Sequence, residues 1–236
     1  MVCFNLYLIF GDWPLFWAGY NQLLDDWSIL SYYMSMNAIT QTRTGDTRQH
    51  ILAVAKTLIL GKGFSAVGLN EILKTAQVPK GSFYHYFDSK EHFGTALLEN
   101  YFDEYLVALD LALNVSGEKS ALPLLLNYFD NWKSSQCSDI TNDKCLVVKL
   151  SGEVSDLSEA MRLSLKQGTQ RVITRLAQCI QQAIDNNEVI LSDDAEIVTK
   201  ELYYLWIGAT LMAKVSHMPE TFDIAINVLH SRLYAD

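Results

Sequence analysis

Hydrophobic side chains recur at helical spacing from about residue 46 to the end of the chain. Leu69, Ile72, Leu73 and Ala76 fall at i, i+3, i+4 and i+7, which is the spacing of one helix face. No segment of useful length alternates apolar and polar residues as a half-buried strand does. The pattern therefore predicts an all-α fold.

Three short helices are predicted between residues 46 and 87. Asp46 or Thr47 is a suitable cap for the first helix, which glycines end. Gly68 opens the second helix, Gln77 and Val78 form a turn, and Pro79 stands where a third helix begins. The succession of helix, tight turn and helix indicates a helix-turn-helix unit, although a helical hairpin that only packs is the alternative.

The third predicted helix presents a short polar face. Its members are Lys80, Ser82, Tyr84 and His85. Lysine supplies charge for phosphates, and the other three side chains supply hydrogen bonds for phosphates and base edges. We therefore expect this helix to enter the major groove of DNA.

These segments resemble the TetR family of transcriptional repressors, from about Asp46 to the C-terminus. The strongest matches are Gly63-Phe64, Ile72, Ala76, the run KGSFYHYF at 80–87, and Ser89-Lys90. The resemblance implies an N-terminal three-helix helix-turn-helix head, a C-terminal helical body for ligand sensing and dimerisation, and double-stranded operator DNA as partner. The DNA-binding residues it implies are Thr47, Gly68, Leu69, Lys80, Gly81, Ser82, Tyr84, His85 and Lys90.

The predicted domains are an extension at 1–42, a DNA-binding domain at 43–90 and a regulatory and dimerisation domain at 91–236. The net charge of −9 is unevenly divided among them. Residues 43–90 carry seven Lys/Arg against three Asp/Glu, whereas residues 91–236 carry eleven against twenty-one. A basic domain on an acidic body is typical of a protein that binds DNA through one face.

The first 33 residues are rich in aromatic side chains and contain no Lys or Arg. A signal peptide needs a positive start, and Asp12, Pro14 and Asp25 keep the apolar run below the ~20 residues that span a bilayer. We expect translation to start at Met34 or Met36; a membrane-lying or partner-binding extension is the alternative. The four cysteines lack CxxC spacing, which favours a reduced, cytoplasmic setting.

Residues 91–236 read as helices throughout. We predict helices from residue 88 to about 113, then at 121–135, 144–150, 155–186 with a break near Gly168, 193–216 and 221–234. The last two carry more apolar surface than a monomer should expose, and the alternative is that both helices are simply core. By resemblance, these two helices pair across a two-fold axis and form a homodimer.

Cys145 is the candidate reactive group. It stands at a predicted helix start beside Lys144 and Lys149, and both features lower a thiol pKa, so we expect an ionised, nucleophilic thiol. The run KCLVVKLSGEVSDLSEAMR at 144–162 resembles the NemR-like branch of the TetR family, which senses electrophiles and bleach. That resemblance implies Cys145 as sensor, Lys214, expected to face inward, as its partner, and an electrophilic or oxidising inducer.

Other interpretations remain open at this point. The candidates for a ligand pocket beside Cys145 are Tyr128, Trp132, Tyr203, Tyr204 and Trp206, although aromatic residues at helical spacing are more often core. A repressor released by a reversible ligand is therefore the alternative function. An enzyme using Cys145 is disfavoured, because no nucleophile elbow or phosphate loop is present. The five histidines lack metal-ligand spacing, so we expect no metal and no cofactor.

Overall fold

Nine helices make up the part of the chain that the computed structural model describes, residues 47–114, 120–138 and 144–234. They are α1 Thr47–Lys62, α2 Leu69–Ala76, α3 Lys80–Tyr86, α4 Lys90–Ala112, α5 Ala121–Cys137, α6 Leu146–Leu157, α7 Glu159–Asp185, α8 Ala195–Ser216 and α9 Thr221–Leu233. No strand occurs in these ranges, which confirms the all-α prediction. The predicted extension at 1–42 and the start-site hypothesis lie outside the described residues.

We call α1–α3 the head and α4–α9 the body. Aromatic rings hold the head on the body. Phe83 of α3 is fully buried, and its ring centroid lies 5.1 Å from that of Phe87 and 5.4 Å from that of Phe93 in α4. Because α3 has only seven residues, it depends on this packing rather than on its own helical stability.

The turn between α2 and α3 is fixed by the backbone. Gly68 caps α2, as predicted, and Gln77 takes the left-handed conformation with φ 54°. The N–H of Val78 then donates to the carbonyl of Leu73 at 3.1 Å, which is the helix-ending pattern expected of a left-handed cap. Pro79 lies one residue before α3 rather than in its first turn.

The predicted break near Gly168 is wrong, because α7 runs unbroken through that residue. A Cβ atom at Gly168 would lie 2.0 Å from the ring of Phe102, so the glycine allows α4 and α7 to pack closely. The break lies instead at Ser158, whose hydroxyl caps α7 by accepting the N–H of Met161 at 3.2 Å. Helix α6 consequently extends to Leu157, well beyond the predicted 144–150.

Two further caps come from side chains. Ser89 caps α4 by accepting the N–H of His92 at 3.0 Å, so the helix begins at Lys90 rather than at the predicted residue 88. Glu188, in the loop after α7, accepts the N–H groups of Ala121 and Leu122 at 3.1 and 2.7 Å. Burial opposes the charge on Glu188, but these bonds and those from Ser120 and Asn186 lower its pKa to about 2.

The last two helices leave apolar side chains on the outside. Ile197, Leu211, Met212, Val215, Ile224 and Val228 are between 37% and 65% exposed. Their inner faces pack on the core through residues such as Trp206 and Phe222, both fully buried. Within the described ranges, no helix is both long and apolar enough to cross a membrane.

Candidate nucleic-acid interface and sensing site

The predicted recognition helix presents its polar side chains to solvent. Lys80, Gly81, Tyr84 and His85 are exposed, and Ser82 is partly buried. Phe83 is the one residue of α3 that is fully buried, and it orients the others outward. The ammonium of Lys80 lies 5.7 Å from the ring centroid of Tyr84, so a cation–π contact stabilises these two side chains against each other.

The remaining predicted DNA contacts flank this helix. Thr47 is the first residue of α1, and Gly68 is exposed at the start of α2, whereas Leu69 is partly buried. Lys90 begins α4, where its ammonium lies 4.9 Å from the ring centroid of Phe64. The structure leaves each of these residues at the surface or partly exposed, and their contacts with DNA remain a prediction.

Cys145 caps α6. Its carbonyl accepts the N–H of Lys149 at 3.1 Å, and its own N–H donates to the side chain of Gln136 at 3.1 Å. The sulfur lies at the N-terminal end of the helix, close to the N–H groups of Val147 and Val148. The structure therefore places the thiol at a helix start, one residue before the first helical position.

The expected lowering of the Cys145 pKa is wrong. Burial raises the pKa of the thiol, and it outweighs the opposing hydrogen bonds from Val148, Val147 and the hydroxyl of Tyr101. Neither predicted lysine acts on the sulfur: Lys144 donates to the carbonyls of Gln136 and Ser138, and Lys149 donates to the carbonyl of Gly61. Cys145 is thus a largely neutral thiol at neutral pH.

Four tyrosines interact electrostatically with Cys145: Tyr101, Tyr105, Tyr128 and Tyr203. Of these, Tyr128 and Tyr203 were among the predicted pocket residues. Sequence reasoning missed Tyr101 and Tyr105, although their i, i+4 spacing on α4 already placed both on one helix face. The hydroxyls of Tyr105 and Tyr128 lie 2.7 Å apart.

The predicted pocket residues do not all lie together in the structure. Tyr128, Trp132 and Trp206 are buried together, with the indole N–H of Trp132 donating to Thr210 at 3.0 Å. Tyr204 is 61% exposed and lies apart, because neighbouring helix residues point about 100° away from each other and Tyr203 takes the inward position. Tyr204 lines instead an open surface groove of about 340 Å³ with Arg162 and Lys166.

Lys214 is exposed, so its expected inward position is wrong. Partial burial lowers the pKa of its ammonium, and the charge of Lys149 lowers it further. Lys149 lies one helical turn from Cys145, which places Lys214 near the same end of α6. A lowered pKa increases the share of neutral amine, the form that reacts with electrophiles.

Helix α6 also holds the loop between α1 and α2. The carboxylate of Glu153 accepts the N–H groups of Phe64, at 3.0 Å, and Ser65. Gly63 has φ 95°, and a Cβ atom there would lie 3.0 Å from the same carboxylate, so glycine allows this approach. Although burial opposes it, the hydrogen bonds from Ser65 and Phe64 lower the pKa of Glu153.

The other described cysteines have different settings. Cys137 is exposed at the end of α5, and Cys179 is buried, where its thiol donates to the carbonyl of Ala121 and burial raises its pKa to about 11. Across the ranges that the structure describes, no group of three or more His, Cys, Asp or Glu is placed to hold a metal ion.

Comparison with known proteins identifies the family. Residues 51–97 match the family described as bacterial regulatory proteins, tetR family, and residues 121–229 match the tetracyclin repressor-like C-terminal domain. The HTH-type transcriptional repressor NemR of Escherichia coli K12 is 42% identical over 77% of this chain and 90% of its own. The transcriptional regulator AcuR of Cereibacter sphaeroides is 34% identical over 67% and 72%.

Solved structures agree with the sequence matches. The reduced form of Escherichia coli NemR has a TM-score of 0.75 and 41% identity, covering 80% of this chain and 97% of that one. A regulator of the TetR/AcrR family has a TM-score of 0.69 and 38% identity, covering 79% and 97%. This chain has a helix-turn-helix head and a helical body, as these relatives do. Together with the sequence matches, this shows that the chain belongs to the TetR family of DNA-binding transcriptional repressors.

Proposed function

We propose that this repressor leaves its operator when Cys145 is alkylated or oxidised. The observation that supports the proposal is that α6 connects Cys145 to the head. The helix begins beside the sulfur of Cys145, and two turns later Glu153 holds the backbone of Phe64 and Ser65 in the head. A group added to the sulfur must displace the start of α6, because Leu146 and Val147 beside it are buried.

The displacement reaches the head through the same helix. Lys149 and Glu153 lie on α6 at i+4 and i+8 from Cys145. Lys149 contacts Gly61 at the end of α1, and Glu153 contacts the loop that follows α1. A rigid helix transmits a shift at one end to the other, and two heads must keep a fixed spacing to occupy two half-sites. A shift of this loop in either head would lower operator affinity.

In this proposal, Lys214 reacts with the sulfur of Cys145 after the thiol has been oxidised. An oxidant such as hypochlorous acid takes two electrons from the thiol, giving a sulfenyl chloride and water. The neutral amine of Lys214 attacks that sulfur, an S–N bond forms, and chloride and a proton leave. The lowered pKa of Lys214 supports this role, because it raises the neutral fraction.

A homodimer formed by α8 and α9 completes the proposal. Exposed apolar residues on these helices, among them Ile197, Met212, Val215 and Ile224, support a surface that a second copy covers. Pairing the helices with those of a second copy would bury this surface and set the distance between the two heads.

The test is operator binding before and after alkylation. Binding to a labelled DNA fragment from upstream of the protein's own gene is measured with and without stoichiometric N-ethylmaleimide. Release is expected for the parent and for Cys137→Ser, which controls for the exposed thiol, but not for Cys145→Ser. Release of Cys145→Ser to the same extent as the parent would overturn the proposal.

A reversible ligand is the second candidate trigger, and one observation favours it. Trp206 is fully buried, yet its indole N–H finds no acceptor among the residues that the structure describes. A buried donor without a partner costs stability, so a ligand with an acceptor oxygen would be stabilised there. Release of Cys145→Ser by such a ligand, lost on Trp206→Phe, would identify this trigger.

A further inference from the structure

The surface groove of about 340 Å³ that Tyr204 lines lies between three helices of the body. Ser151 and Ser155 of α6 and Arg162 and Lys166 of α7 are among its other lining residues. No carboxylate belongs to the lining, although residues 91–236 carry twenty-one Asp/Glu against eleven Lys/Arg. The groove is therefore a positively charged site, of a size that suits a small ligand, on an acidic body.

Lys166 is the cation of this groove that has no partner of its own. The Nε–H and an Nη2–H of Arg162 donate to the carboxylate of Glu159 at 2.7 and 2.6 Å. The other two cations of α7, Arg171 and Arg175, each pair with an aspartate of α4. Lys166 is exposed and makes no ion pair within the described ranges, although the charge of Glu159 acts on it. Its ammonium is thus available to an anion from solution.

The hydroxyl groups of the lining differ in what they can donate. Ser151 and Thr169 donate their protons to carbonyls of their own helices, at 2.7 and 2.6 Å. Ser155 and Tyr204 make no hydrogen bond of this kind within the described residues. A ligand therefore meets two hydroxyl donors in addition to the ammonium of Lys166.

The groove also has an apolar part. Leu165 and Ile173 belong to the lining and are only 5% and 2% exposed, so their side chains form its floor. The ring of Tyr204 is well exposed beside them. A flat apolar group can lie on this floor and stack against that ring.

We propose that this groove binds a small organic carboxylate with a flat apolar body. The carboxylate accepts hydrogen bonds from the ammonium of Lys166 and the hydroxyl of Ser155, and the apolar body lies on Tyr204. A single negative charge suits the groove better than a phosphate dianion, because Glu159 already neutralises Arg162. The inference does not rest on the proposed role of Cys145, which is not part of the lining.

A carboxylate bound here would join α6 to α7. Ser151 and Ser155 lie one turn apart on α6, and Glu153 lies between them, about 200° around the helix from Ser151. The serines therefore face away from the side of α6 that holds Phe64 and Ser65. A ligand that bridges Ser155 and Lys166 should slow local opening of α6.

The test compares a carboxylate with a neutral molecule of the same shape. Binding of 2-naphthoate and of 2-naphthalenemethanol to the full-length protein is measured by isothermal titration calorimetry. We expect the dissociation constant of the carboxylate to be about tenfold lower or better, because only the carboxylate makes a charge-assisted hydrogen bond. Hydrogen exchange at the backbone amides of residues 150–157 should slow when 2-naphthoate is bound.

Lys166→Gln separates charge from shape. The variant should weaken binding of 2-naphthoate about tenfold or more, leave the alcohol unaffected and abolish the added protection of α6. Lys200→Gln is the matched control, because Lys200 pairs with Glu196 on α8 and is not part of the lining. Because Lys166 is exposed, its substitution should leave the fold intact, which circular dichroism checks.

Equal dissociation constants of 2-naphthoate for the parent and Lys166→Gln would overturn the inference. Absence of saturable binding by the parent would overturn it as well. That result would assign the groove to a second copy of the chain, since Ile197 and Leu211 lie seven residues to either side of Tyr204 on the exposed face of α8. Cys145→Ser should bind 2-naphthoate as the parent does, so failure of this inference is distinct from failure of the proposed release mechanism.

Discussion

The carboxylate of Glu153 accepts the backbone N–H of Phe64 at 3.0 Å, and this bond joins the helix that starts at Cys145 to the DNA-binding head. Because Gly63 brings the loop close to the carboxylate, the contact is specific to this backbone conformation. The two residues are 89 positions apart in the chain, yet their bond connects the helix of the proposed sensor Cys145 to the head.

Glu153→Ala should uncouple operator binding from the alkylation of Cys145. We expect unchanged alkylation of Cys145, but the ratio of operator dissociation constants with and without alkylation should shrink about fivefold or more, the low end of usual coupling strengths. Asp156→Ala, an exposed carboxylate on the same helix, is the matched control. A ratio equal to that of the parent would show that the signal takes another route.

Lys80→Ala should weaken operator binding for every DNA sequence to a similar degree. Its exposed ammonium stands at the start of the predicted recognition helix, where we expect it to neutralise a phosphate and release counterions. The slope of log affinity against log salt should fall by about one. Lys200→Ala, which removes a body lysine paired with Glu196, should leave the slope as it is.

Gly168→Ala should destabilise the body. The added methyl group would collide with the ring of Phe102, forcing α4 and α7 apart at a cost of about 1–3 kcal/mol. Gly152→Ala on α6 has open space around it and should stabilise the protein by about 0.5–1 kcal/mol. Urea unfolding at one protein concentration checks both; equal effects would contradict the close approach of the two helices.

Glu188→Gln should lower stability at neutral pH by about 1 kcal/mol or more, because the carboxylate accepts two N–H groups of α5. The pKa of Glu188 is lowered to about 2 in the folded protein, against about 4.3 in the unfolded chain. Its contribution is therefore complete above pH 4.3 and disappears as the pH falls toward 2. The parent and the variant should converge over that window in urea unfolding; a constant difference would speak against the cap.

The rate of Cys145 alkylation by iodomethane should still be rising above pH 8.5, the ordinary pKa of a free cysteine. Burial raises the thiol pKa, and the Tyr101 hydroxyl opposes that rise. Tyr101→Phe should therefore move the midpoint of the pH–rate profile further upward. A midpoint below 8.5 in the parent would mean that burial does not control this thiol.

Most of the fold could be predicted from the sequence, because helical periodicity and helix-end signals are local. The left-handed turn at Gln77, the cap at Gly68 and the recognition helix follow from residues within a few positions of each other. The break assigned to Gly168 failed for a physical reason. From sequence alone, a glycine within a helical pattern suggests a break in the helix. Here Gly168 instead leaves space for the ring of Phe102 from another helix.

The properties of the candidate sensing site were harder to predict from the sequence, because they depend on residues distant in sequence. The position of Cys145 at a helix start was predictable, but its raised pKa comes from burial, which outweighs the hydrogen bond from Tyr101. The nearby lysines suggested the opposite, and both are engaged by backbone carbonyls. Burial and long-range partners leave no local pattern that a single sequence reveals.

The packing of Phe83 and Phe87 on Phe93 sets a limit on transplanting the DNA-reading module. Phe93 belongs to the first turn of α4, so a chimaera that joins foreign sequence directly after α3 would lose the anchor of its seven-residue recognition helix. Exchanging operator preference between such repressors therefore requires a junction beyond Phe93. The same rings make the orientation of α3 sensitive to any substitution in that turn, even one that never touches DNA.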